Sequence, residues 1–150
     1  MGIPVFARSY PLNDNAKEQT LSQGKVADRP AWALVDDLML RSRVTALARD
    51  AGFTTRYFAA PDALVAALGE DPGERPALVI VDVSDRGGKG LVLLERLAGA
   101  AAEPRSPILA FYAHTDLAVR KRAESLGVDR IVPRSAFVLR FAELAKDLAG

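Results

Sequence analysis

The chain has 150 residues, 49% of them apolar, a formal net charge of +1, one histidine and no cysteine. That is enough apolar material for one domain with one core, and the balanced charge excludes whole-surface electrostatic binding to nucleic acid or to an anionic membrane. The missing cysteines exclude disulfides, thiolate nucleophiles and Cys-ligated metals, and the lone His114 excludes a multi-histidine metal site or a histidine relay.

No apolar run approaches the roughly 20 residues needed to span a bilayer. The N-terminus lacks the basic-then-apolar order of a signal peptide, so a cytoplasmic protein is expected. Residues 1–29 are polar and without periodicity, from Asn13 through Lys17, Glu18 and Gln19 to Gln23 and Gly24. They read as a flexible extension preceding a folded domain at 30–150. Lys-Glu codons can spell a purine-rich ribosome-binding sequence, and a native start near Leu21 or Val26 is expected.

Ala31–Val35 is a short apolar strand ending in Asp36 and Asp37. Leu40, Val44, Leu47, Ala48 and Ala51 then recur at helical spacing, with Arg41, Arg43 and Arg49 off that face, and Gly52 stops the helix. Phe53–Phe58 has strand composition. Pro61 suits the first turn of a helix through Leu64, Val65 and Leu68. After the breaker-rich loop Asp71–Pro76, the run Ala77-Leu78-Val79-Ile80-Val81 has no polar alternation and ends in Asp82. A short run of that kind reads as a strand buried on both faces.

The loop Ser84–Gly90 carries three glycines, and Leu91, Leu94 and Leu97 carry the next helix. Pro107–Tyr112 is another buried-type strand. His114-Thr115-Asp116 opens a helix, with Thr115 or Asp116 as its cap and Arg120, Lys121 and Arg122 as a basic face. Gly127 ends it. Arg130–Val132 is the last strand, and Ser135 is expected to cap a final helix that buries Phe137, Phe141, Leu144, Ala145 and Leu148.

Five βα units imply a doubly wound parallel sheet with helices on both faces, the flavodoxin-like (βα)5 fold with strand order 2-1-3-4-5. Ligands in such sheets bind outside the carboxyl ends of the strands. Those ends carry Asp36 and Asp37, Asp82, Tyr112 with Ala113, and Arg134. Three carboxylates in one crevice stay ionised together only with a cation between them or with shifted pKa values. Hard oxygens with room for water suit Mg²⁺. A plainer reading has Asp36 cap the first helix and Arg134 pair with a carboxylate.

Ala33-Leu34-Val35-Asp36-Asp37, Leu78 to Asp82 through Gly90-Leu91, Pro107 to Ala113, and Gly127 to Val132 together resemble the receiver domain of two-component response regulators, over about residues 31–149. The combined spacing is specific; no single piece is. The resemblance implies that Asp82 accepts a phosphoryl group from a histidine kinase or phosphotransfer protein. It implies Mg²⁺ held by Asp37, Asp82 and the backbone carbonyl of Ser84, with Asp36 acting through water. Ser84 and His114 fall at loop positions that tune phosphorylation lifetime in relatives.

The other half of the family pattern is missing. Tyr112 stands where receivers place Thr or Ser. Arg134-Ser135 stands for Lys-Pro, Ile131 for the switch aromatic, and Arg86 for the usual Pro. Arg keeps the charge of Lys but not its compact geometry. The usual coupling of phosphorylation to strand 5 is therefore expected to be absent, with Tyr112 filling the switch pocket. The leading expectation is an atypical, stand-alone receiver whose output is protein–protein contact. Its surface would be helix 4, strand 5 and helix 5, where mixed charge suits a homodimer or a kinase contact. The alternative is a pseudo-receiver scaffold that never carries phosphate. No enzyme activity beyond self-phosphorylation from small phosphodonors is expected. A Mg²⁺-dependent phosphatase would need a second carboxylate at Ser84, and a flavin site would need a Ser/Thr-rich phosphate loop where Asp36 and Asp37 lie.

Overall fold

A computed structural model describes residues 28–100 and 105–150. The proposed extension lies outside these residues except for its last two. Arg29, one residue before the expected boundary at Pro30, already belongs to the first strand.

Among the described residues, five strands and five helices alternate: β1 (Arg29–Leu34), α1 (Leu38–Asp50), β2 (Phe53–Tyr57), α2 (Pro61–Glu70), β3 (Leu78–Asp82), α3 (Lys89–Gly99), β4 (Ile108–Tyr112), α4 (Leu117–Ser125), β5 (Arg130–Pro133) and α5 (Arg134–Ala149). A 3-10 turn, Pro72–Glu74, lies in the loop before β3. All strand pairs are parallel and the order is β2-β1-β3-β4-β5, the flavodoxin-like arrangement expected from the sequence.

Side chains alternate across each strand, so the sheet divides the core in two. On one face Ala33, Ile80, Leu109 and Phe111 meet α1 and α5 through Val44, Ala48, Phe137 and Phe141. On the other, Leu34, Val79, Val81, Ala110 and Tyr112 meet α2, α3 and α4 through Leu64, Leu93, Leu94 and Ala123. Every residue of β3 and β4 is buried. That is why these two strands lack polar alternation.

Two helix starts differ from expectation. Ser135 is not the cap of α5: the helix begins at Arg134, directly after Pro133, whose extended backbone (φ −60°, ψ 152°) ends β5. Asp116 does occupy the position before α4, but its carboxylate caps none of that helix's amides. Gly52 and Gly127 have φ of 91° and 85°, as helix-ending residues in the left-handed region do.

α3 packs closely against the end of β3 at Gly90. A Cβ on Gly90 would sit 2.1 Å from the Asp82 carbonyl oxygen and 2.8 Å from Val83 Cα. Both are backbone atoms, so neither can swing aside. Gly90→Ala is expected to lower folding stability by about 3 kcal/mol. Urea denaturation checks this, and an unchanged midpoint would contradict the close approach.

Candidate functional site at the carboxyl ends of the strands

β3 delivers Asp82 to the carboxyl edge of the sheet with 3% of its surface exposed. Burial pushes its carboxyl pKa up, because the ionised form loses hydration. The Ser84 amide, donating to Oδ1 at 2.9 Å, and the Arg134 guanidinium, 3.9 Å from Oδ2, oppose that rise. Asp85 and Asp37 add to it through like-charge repulsion, and the net direction is upward.

Asp36 and Asp37 follow β1 and differ in role. Asp37 is the N-cap of α1: its Oδ1 accepts from the Leu40 amide at 3.0 Å. Asp36 is engaged by Lys89, whose Nζ lies 3.1 Å from Oδ2 and also donates to the Ala59 carbonyl at 2.9 Å. The cap thus belongs to the second acid of the pair, not to Asp36.

Asp36, Asp37, Asp82, Ser84, Asp85, Arg86 and Arg134 line one cavity of about 390 Å³. Tyr112 is not among them. Its ring is buried on the opposite face of the sheet, in the cluster that contains Ala123 and packs against Ile131. The Arg120 guanidinium sits 5.9 Å from the ring centroid. His114 lines a neighbouring depression with Arg43, Arg134 and Leu139, not the acidic cavity.

Two residues of the site escaped sequence reasoning. Asp85 accepts from the backbone amides of Lys89 (2.9 Å) and Gly90 (3.0 Å), and so caps α3 from the preceding loop. Lys89 brings a cation to the rim. An Asp shortly before a glycine pair and an apolar helical repeat is a capping signal; nothing in the sequence tied Lys89 to Asp36, because 53 positions separate them.

Ser84 joins two loops. Its Oγ accepts from the Ala113 amide at 2.9 Å and donates to Asp116 Oδ2 at 3.3 Å. That contact holds the carboxylate that would otherwise be positioned to cap α4. Among the described residues, no three Asp, Glu or His side chains converge closely enough to enclose a metal ion. A hydrated Mg²⁺ asks for less, one or two carboxylates with waters completing the shell, and Asp37 and Asp82 share this cavity.

No protein-family model matches the sequence, and no curated protein matches it significantly. Solved structures do match. A response regulator receiver protein from Burkholderia phymatum is 27% identical over 81% of this chain and 96% of its own, with a TM-score of 0.64. The receiver domain of a sensor histidine kinase from Pseudomonas aeruginosa, solved with magnesium in its active-site cleft, has a TM-score of 0.70 at 14% identity, covering 83% of this chain and 99% of its own. That of a signal transduction histidine kinase from Syntrophus aciditrophicus has a TM-score of 0.68 at 19% identity, covering 81% and 89%. The chain therefore has the receiver fold, resembling receiver domains of response regulators and sensor kinases over most of its length.

Ser84→Ala removes one acceptor and one donor at the junction of the two loops. It is expected to lower stability by about 1 kcal/mol and to speed hydrogen exchange at the Ala113 amide. Exchange measured by NMR checks this; unchanged protection of Ala113 would mean that the hydroxyl carries no load.

Proposed function

We propose that this chain is an atypical receiver of two-component signalling that takes a phosphoryl group on Asp82. The observation that carries the reading is the setting of Asp82: a buried carboxylate at the end of β3, opening into a cavity shared with Asp36, Asp37, Ser84 and Arg134. In the reaction, an Asp82 carboxylate oxygen forms a P–O bond as the donor's P–N bond (phosphohistidine) or P–O bond (acetyl phosphate) breaks. The leaving group departs as imidazole, after protonation, or as acetate. Asp37, Asp82 and the Ser84 carbonyl would hold Mg²⁺, with Asp36 reaching it through water. Bound Mg²⁺ would neutralise charge on the phosphoryl oxygens. Arg134, 3.9 Å from Asp82, is suited to pair with the product phosphate.

The donor is a histidine kinase or a phosphotransfer protein, and the setting is the cytoplasm. No helix among the described residues is long and apolar enough to cross a membrane. Output passes by protein contact through α4, β5 and α5, including a homodimer as one form. The charges of that face already pair within the chain: Arg120 with Glu124 at 3.4 Å, Arg140 with Glu143 at 3.1 Å and Arg130 with Asp147 at 4.0 Å. Such exposed pairs contribute little and exchange readily for a partner's charges. The burial of Tyr112 away from the cavity supports a second reading, a phosphorylation-independent scaffold.

Incubation with acetyl phosphate and Mg²⁺, followed by intact mass, separates the two. One added phosphoryl group is expected on the wild type and none on Asp82→Asn. An unmodified wild type would favour the scaffold.

The raised pKa of Asp82 gives two further expectations. Modification requires the carboxylate, so at Mg²⁺ well below saturation, where the metal-free protein predominates, its rate falls, as pH is lowered, at a higher pH than an ordinary aspartate would give. With a folded-state pKa above the unfolded value, the stabilisation tied to protonated Asp82 is present below the unfolded pKa and lost as pH rises through the folded one. Asp82→Asn, which resembles the protonated form, therefore raises the urea midpoint at neutral pH. A lowered midpoint would show that the ionised carboxylate is net stabilising.

A further inference from the structure

Four carboxylates line the cavity: Asp36, Asp37, Asp82 and Asp85. Two of the lining residues, Arg86 and Arg134, are cations, and the Lys89 ammonium reaches Asp36 from the rim. The local formal charge is close to balanced before any metal enters. Lys89 is also fixed at both ends. Its backbone amide donates to Asp85, and its ammonium bridges Asp36 and the Ala59 carbonyl. A long side chain held at both ends has already given up much of its conformational freedom, so less entropy opposes the contact than in an ordinary surface pair.

We infer that Lys89 is a resident counter-ion of this site, competing with a divalent cation for Asp36. This rests on the reading that Asp37 and Asp82 bind Mg²⁺. While Lys89 pairs with Asp36, that carboxylate offers the metal's hydration shell a neutralised partner. The ammonium also adds its own positive charge to the field that an incoming dication meets. Mg²⁺ binding therefore requires Lys89 to withdraw from Asp36. Because the same ammonium holds Ala59, withdrawal also frees the loop between β2 and α2. The start of this loop stays anchored by Phe58, bonded to Ala33 and packed on Trp32, whereas α2 has no side-chain cap at Ala60, so it is Ala59 and Ala60 that are released. Lys89 is thus a positioning residue that sets metal affinity and reports metal entry to a second loop.

The test is a Mg²⁺ titration of wild type, Lys89→Met and Lys89→Arg, followed by amide NMR shifts at Leu40 and Ser84, which bond to Asp37 and Asp82. Lys89→Met is expected to bind Mg²⁺ about three- to tenfold more tightly than wild type, the range for losing one half-exposed competing charge. Lys89→Arg, which keeps the charge, is expected to stay within about twofold of wild type. In the wild type, Mg²⁺ also shifts the amides of Ala59 and Ala60, and in Lys89→Met it does not. Equal or weaker binding by Lys89→Met overturns the counter-ion role while leaving the metal site standing. Shifts at Leu40 and Ser84 that are absent from all three proteins overturn the metal site and the counter-ion role together.

Discussion

Asp82 leaves the apolar interior at the last residue of β3 with almost no surface in water. An isolated ion in that position would cost several kcal/mol, and the groups around it are arranged as partial compensation. The Ser84 amide lies against one oxygen and Arg134 stands near the other at 3.9 Å, too far for a tight ion pair. The side chain of Arg134 is 45% exposed, so water screens it. Asp82 is therefore left in a destabilised ionised state, the condition under which a carboxylate gains most from a new cation or from esterification. The rest of the edge follows from this. Gly90 lets α3 approach the strand end, and Asp85 and Asp37 cap the flanking helices while keeping their charge in the same space.

The loops around the cavity are tied to each other, not only to the sheet. Lys89 links the loop after β3 to Asp36 and to Ala59. Ser84 links it to Ala113 and Asp116 in the loop before α4. Ser84, whose amide bonds Asp82, thus ties that carboxylate to the loop before α4, while Lys89 ties together its neighbours Asp36 and Asp85. Tyr112 and Ile131 help to fill the core against α4. At α4 itself, a connection to the site runs through Ser84 and Asp116.

Much of the fold was legible because burial dictates composition. β3 and β4 read as strands since both faces are covered, and Gly52 and Gly127 marked helix ends because their backbones need positive φ. The acids at the strand ends were legible from position alone. Ser135 misled because serine favours caps in general, while Pro133 ends β5 directly before the helix and the turn begins a residue sooner. Lys89 and the Ser84 bridge were not legible. Both are contacts between distant loops, set by tertiary approach, and periodicity carries no trace of them.

The role proposed for the Asp82 carboxylate is that of a metal-assisted acceptor for phosphoryl-shaped ligands. Its most direct test is fluorine NMR of the protein with Mg²⁺ and beryllofluoride, which mimics a phosphoryl group on a carboxylate. The expected result is a set of bound fluoride resonances in the wild type that need Mg²⁺ and vanish in Asp82→Asn. Free fluoride species alone, at saturating Mg²⁺, would contradict it.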